Sequence, residues 1–183
     1  PGAEPEFCDK VIANDAVAKL RLLAANHAKT AQPFFMACGF RKPHLAFRFP
    51  APWLQKFPDL ESIPVAKHPT MDLSVPPIAH HDAAPQLDPY VPVTPHIARQ
   101  WRLYYMATIA WMDSQLGRVL DELEALQHHK DTLVVLHADH GWSLGEHGDW
   151  QKFTNWELGA RVPLIIRAPW IESRSHTHTH THT

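Results

Sequence analysis

Apolar positions along the chain follow two periods, and each change of period marks an element. From Asn14 or Asp15, either of which can cap a helix, Val17, Leu20, Leu23 and Ala24 fall on one face at helical spacing. This predicts a helix to about Lys29, preceded by an irregular lead-in over residues 1–13. Pro33 then opens Phe34–Cys38 (FFMAC), a short continuous apolar run that suits a buried strand. The longest periodic stretch starts at Thr94-Pro95, with threonine as cap and proline at the first helical position. Ile97, Trp101, Tyr104, Ile109, Met112, Leu116, Val119, Leu123 and Leu126 step by three to five residues, with Tyr105 and Leu120 widening the stripe. They predict an amphipathic helix of roughly thirty residues covering one face of a sheet, and His128, His129 and Lys130 suit its carboxyl end. Thr132–Leu136 (TLVVL) and Pro163–Ile166 read as two further buried strands.

Between the two helices the pattern is broken by proline. Most of the 17 prolines lie between Pro43 and Pro95, a density through which neither helices nor central strands can run. Residues 49–93 are therefore expected to form one long irregular connection, with a short helix near Trp53–Phe57. A loop of that length either lines a substrate cleft or serves as a spacer. Strand, helix, strand, loop, strand is the order of an α/β fold, a mostly parallel sheet flanked by helices.

Composition changes this picture little. With 183 residues, 45% hydrophobic and 20% charged, the chain can build a real core. A net charge of -2 gives no reason to expect nucleic acid, and no apolar run is long enough to span a membrane. Cys8 and Cys38 form neither a disulfide framework nor a zinc ribbon and read as lone thiols. The chain starts at Pro1, without a leader pattern, which suggests a fragment. His176–Thr183 (HTHTHTHT) can be read as a metal-binding tract. It can also be read as translation of a repeating CA dinucleotide, the account we favour; either way residues 171–183 are expected to be a disordered tail.

Candidate chemistry concentrates in His137–Lys152 (HADHGWSLGEHGDWQK), which follows directly on the apolar run. A strand that delivers an Asp-His pair into a glycine-rich loop is how α/β enzymes set polar groups at a sheet's edge. Asp139 and His140 are candidate ligands of a hard cation, or a structural hydrogen-bonding pair. Glu146 and His147, in a glycine-bounded turn, rank lower and can serve only to orient the loop. Lys152, with Arg41, Lys42 and His44 after the FFMAC run, forms a candidate anion-binding set; otherwise these are solvated surface charges. A cation with lysine and histidine donors fits a sulfate or phosphate ester. There is no H-E-x-x-H pattern, no phosphate-binding glycine loop and no G-x-S-x-G elbow.

The stretch HADHGWSLGEHGDWQKF followed by RVPLIIRAP resembles the catalytic domain of sulfatases, in the alkaline-phosphatase superfamily. FFMACGFRKPHLAFRFP and YYMATIAWMDSQLGRVLDEL are similar to segments of the iduronate-2-sulfatase group. The resemblance implies an alkaline-phosphatase-like α/β domain over residues 1–170, present only in part. It implies Asp139 and His140 as ligands of one Ca2+, Lys152 as a sulfate contact, and Lys42 and His44 as pocket residues. It further implies a sulfated carbohydrate, of glycosaminoglycan type, as substrate, and a lysosomal, secreted or periplasmic setting.

Two parts of the family pattern are missing. The formylglycine nucleophile arises from a C/S-x-P/A-x-R motif, which neither cysteine matches; Ser62 and Ser74 have the proline but not the arginine. No Asp-Asp pair is present to complete the metal site. Both belong to an amino-terminal part of the same domain, so the chain alone is expected to be inactive. A phosphate or phosphonate ester hydrolase of the same superfamily, and a non-catalytic sulfatase-like remnant, remain as alternatives.

Overall fold

The computed structural model describes residues 7–80 and 87–171. The His-Thr tail and the first six residues of the lead-in lie outside the described residues.

Helix α1 spans Cys8–Thr30, so half of the expected lead-in is helical. The earlier start has two visible supports. Asp9 sits in the first turn, where a carboxylate suits the helix dipole. Phe7, just before the helix, packs edge-on to Trp111 with ring centroids 5.5 Å apart. The helix ends at Ala31 in a left-handed conformation, φ 59°. Helix α2 spans Pro95–Ala125, capped as anticipated: the Thr94 hydroxyl accepts from the Ile97 N–H at 3.5 Å.

The expected role of α2 needs correcting, because its main partner is α1 and not a sheet face. Small Ala13 and Ala16 on α1 admit Val119 of α2, and Val17, Met36 and Phe40 close around them. Leu20 of α1 and Leu123 of α2 are buried as well. Arg21 of α1 grips Glu122 of α2 with two hydrogen bonds of 2.8 Å.

Strand β1 is Val134–His137, β2 Ser143–Leu144, β3 Trp150–Gln151 and β4 Leu164–Arg167. The chain is a mixed helix-and-sheet structure, but the pairings among the described residues are antiparallel. β1 pairs with β4 in the register Val134↔Arg167 to His137↔Leu164, and β2 with β3 as a small hairpin. The two long apolar runs are less buried than expected. All four β4 residues are exposed, because no layer covers this two-stranded ribbon among the described residues. Phe34–Cys38 forms no strand; Phe34 and Met36 turn inward while Phe35 is 90% exposed. An apolar run becomes a strand only where a neighbour takes up its backbone hydrogen bonds, and among the described residues none pairs with it.

The proline-rich connection contains 3-10 turns at Ala51–Lys56, Leu60–Ser62 and Pro77–Ala79. It is anchored rather than slack: Ile63 and Met71 are each only 3% exposed.

Candidate active site

β1 ends at His137, and two residues later the chain turns through Asp139, His140 and Gly141. Gly141 makes the turn possible. Its N–H donates to the Gly159 carbonyl at 2.9 Å, and a Cβ there would lie 2.0 Å from the Leu158 carbonyl oxygen. Asp139 is presented to solvent with its side chain 87% exposed; its Oδ1 accepts from the His140 N–H at 3.1 Å. Its Oδ2 lies 3.6 Å from His140 Nε2. His140 Nδ1 donates to the Gly141 carbonyl at 2.8 Å, which leaves Nε2 as the acceptor facing Lys152 Nζ at 3.2 Å. Three of the residues singled out from sequence thus meet at one point.

Lys152 arrives there on a constrained backbone. The residues on either side of it, Gln151 and Phe153, have φ of 76° and 72°. Non-glycine residues in this region cost roughly 1 kcal/mol or more each and concentrate at functional sites.

An aromatic wall stands beside the trio. Trp142 stacks on His140 at 6.3 Å and on Tyr105 of α2 at 6.0 Å, and Phe47 meets both Trp142 and Tyr105. Burial among these rings pushes the Tyr105 phenol above its ordinary value. Phe47, three residues after His44, is thus the point at which the segment following the Arg41–Ala46 turn meets the loop that bears Asp139. Arg41 and His44 are exposed at this turn. Lys42 is not available there: it is 9% exposed, and its Nζ donates to the carbonyls of His44 at 2.9 Å and Ala46 at 2.6 Å. In this chain, then, the Lys42 ammonium is turned toward the backbone of its own turn.

The proline-rich connection straps the far side of the loop. The His147 N–H donates to the His68 carbonyl at 2.7 Å, and His80 Nδ1 donates to the fully buried Asp149 at 2.5 Å. The connection therefore contacts the loop that carries the chemistry at His147 and Asp149. Arg102 of α2 joins all three parts: Nε donates to the Leu144 carbonyl at 3.0 Å, Nη1 to the Pro64 carbonyl at 3.1 Å, and Nη2 pairs with Glu146. Glu146 therefore orients the loop, one of the roles considered for it. Arg102, Asp9 and His80 were not visible as site residues in the sequence. Arg102 lies off the apolar stripe, where an arginine reads as solvent-facing.

Whether the donors fit a cation can be judged from their chemistry. A carboxylate oxygen and a neutral imidazole nitrogen 3.6 Å apart can share one ion as adjacent ligands. Hard cations take six to eight ligands, and no group of three or more His, Cys, Asp or Glu that could hold a metal occurs among the described residues. The pair fits as part of a site.

A family model described as Sulfatase matches residues 3–183. The chain is 37% identical over 151 residues to iduronate 2-sulfatase of Mus musculus, covering 76% of this chain and 27% of that protein. Among solved structures it is similar to a putative sulfatase from Bacteroides fragilis, with TM-score 0.65 and 20% identity over 91% of this chain and 32% of that one. A phosphonate monoester hydrolase from Silicibacter pomeroyi matches with TM-score 0.60 and 26% identity, covering 84% of this chain and 33% of that one. The chain thus spans about a quarter of the length of the curated relative and a third of the solved structures.

Proposed function

The chain belongs to the sulfatase family, and from that premise we propose that it is one wall of the active site of a longer sulfuric ester hydrolase of iduronate-2-sulfatase type. The observation that carries this reading is the convergence on His140 Nε2 of Asp139 Oδ2 at 3.6 Å and Lys152 Nζ at 3.2 Å. Asp139 and His140 would hold one divalent cation, Ca2+, together with ligands from outside this chain. Bound there, the cation would polarise a sulfate oxygen. Lys152 supplies a fixed positive charge beside the same point, where it stabilises the charge that grows on sulfate as the ester bond breaks. His140 Nε2 has a single lone pair, so a cation bound there would take the place of the Lys152 contact and leave the ammonium free to meet the sulfate. His44, exposed on the adjoining turn, faces the sugar side of the pocket, and the Trp142 wall limits access of water. The nucleophile, a formylglycine, would come from a C/S-x-P/A-x-R segment that these 183 residues do not contain, and we expect the isolated chain to be inactive.

The substrate on this reading is a sulfated carbohydrate of glycosaminoglycan type, and the setting is lysosomal, secreted or periplasmic. No helix among the described residues is long and apolar enough to cross a membrane. A phosphate or phosphonate ester hydrolase is the second reading, favoured by the similarity to the Silicibacter pomeroyi enzyme.

The test is turnover of a fluorogenic aryl sulfate and the matching aryl phosphonate by the full-length protein, with and without Asp139→Ala. We expect preference for the sulfate, and loss of both turnover and calorimetric Ca2+ binding in Asp139→Ala. Preference for the phosphonate would select the second reading. Near-normal Ca2+ affinity in the variant would remove Asp139 from the ligand set.

A further inference from the structure

From Arg41 to Lys56 the chain carries Arg41, Lys42, His44, Arg48 and Lys56 and no acidic residue. Some of these groups are already engaged. Lys42 bonds to two carbonyls, Lys56 Nζ lies 3.7 Å over the Trp53 ring, and His44 Nδ1 bonds to the Leu45 carbonyl at 2.6 Å. Arg41 and Arg48 are exposed, and neither guanidinium has a hydrogen bond, ion pair or ring contact among the described residues. Most other arginines of the chain do have partners. Arg21, Arg99, Arg102 and Arg161 each face a glutamate, and Arg118 reaches two side-chain amide oxygens. Arg167, on the uncovered ribbon, is the other exception among the described residues.

The fold places both arginines next to the site. The Arg41 N–H is held at 2.7 Å by Oδ1 of Asp9, which is fully buried, and the Arg41 carbonyl accepts the His44 N–H at 3.1 Å. Arg48 directly follows Phe47, whose ring lies 6.3 Å from that of Trp142, the residue stacked on His140. Burial holds Lys42 below its ordinary value, against the pull of Cys8 and Asp9, and the charges of Arg41 and Arg48 both lower it further. Both guanidinia therefore lie near the same ammonium. Positive charges gathered without a counter-charge repel one another, and a bound anion relieves that repulsion. The planar fork of arginine matches a carboxylate or sulfate with two parallel hydrogen bonds. Lys152 already serves the sulfate to be cleaved, which leaves these two guanidinia for a different anion.

On the sulfated-carbohydrate reading of the site, we propose that Arg41 and Arg48 form a second anion subsite next to the active-site wall. It takes the carboxylate or a further sulfate of the adjoining sugar, and so selects polyanionic chains over lone sulfate esters.

The test compares substrates on the full-length protein. A fluorogenic aryl sulfate has no second anion, whereas a sulfated, uronate-containing oligosaccharide has one. In the Arg41→Gln, Arg48→Gln double variant, kcat/KM on the oligosaccharide should fall about tenfold further than on the aryl sulfate, the scale of one exposed hydrogen bond between charged groups. The loss should lie chiefly in KM. Arg41→Lys with Arg48→Lys should recover part of it, and added salt should shrink the wild-type preference. If carboxyl reduction of the oligosaccharide removes the dependence on arginine, the anion is the carboxylate; if the dependence survives, it is a second sulfate. Either result upholds the subsite. Equal losses on both substrates would mean general damage, and no loss on either would mean solvated surface charges; both overturn it. A fall in thermal stability with no difference between substrates would mean that the rest of the protein pairs with these arginines, and overturns it too. If the wild-type protein hydrolyses no sulfate ester, the sulfatase reading fails by itself. Calorimetric binding of the oligosaccharide then decides: weaker binding in the double variant upholds the subsite, and equal binding overturns it.

Discussion

Arg102→Ala tests whether the loop bearing Asp139 and Lys152 is held by α2. The guanidinium makes three contacts: the Leu144 carbonyl at 3.0 Å, the Pro64 carbonyl at 3.1 Å, and the Glu146 carboxylate. Glu146 in turn accepts the Leu144 N–H at 2.7 Å through its other oxygen. The side chains are 13% and 28% exposed, so the pair is largely out of water. Breaking a buried pair by removing one partner costs about 3–5 kcal/mol. Water can reach part of Glu146 once Arg102 is gone, which places this case at the low end. We expect about 3 kcal/mol, a little over a hundredfold in the local opening equilibrium. Arg102→Lys keeps the charge but loses the planar fork, and should fall between the two. The assay is hydrogen exchange at the Leu144 amide in the full-length protein, which reads local opening rather than global unfolding. A change below about 1 kcal/mol, or wild-type protection in Arg102→Lys, would mark the contact as a screened surface pair and refute the reasoning.

Gly148 has φ +76°, and a Cβ there would lie 2.3 Å from the Pro89 carbonyl oxygen. Gly148→Ala should therefore free the proline-rich strap at a cost of about 2–4 kcal/mol. Faster exchange at the Met71 amide, which bonds to the same carbonyl, would report it; unchanged exchange would mean that the strap is held elsewhere. Arg21 holds the Glu122 carboxyl below its ordinary value. A lowered folded value contributes stability above the unfolded value and loses it as pH falls through the folded one. Stability curves of wild type and Glu122→Gln should thus differ near neutrality and converge in acid, whereas parallel curves would deny the α1–α2 tie this role.

The elements legible in the sequence were those with a local signature. Thr94-Pro95 announced α2, and the apolar run before Asp139 announced β1. Phe34–Cys38 looked equally clear, yet forms no strand, because pairing depends on a neighbour that the run itself does not encode. The site behaved in the same way. Asp139, His140 and Lys152 lie within fourteen residues of one another and converge. The burial of Lys42 is not legible locally, since it depends on which backbone folds over it. Asp9, Arg102 and His80 are far from the loop in sequence and gain their roles only through tertiary contact. Phe47, a few residues beyond the Arg41–His44 cluster, meets Trp142 of the Asp139 loop about a hundred residues away, a contact that no local pattern announces.

On the function proposed above, these residues would hold a cation and a sulfate but could not attack the ester without the rest of a longer protein. The most direct measurement of this is sulfate release from a 2-sulfo-iduronate disaccharide by the purified 183-residue chain and by the full-length protein, each supplied with Ca2+. Release by the full-length protein alone is expected. Turnover by the isolated chain would contradict it.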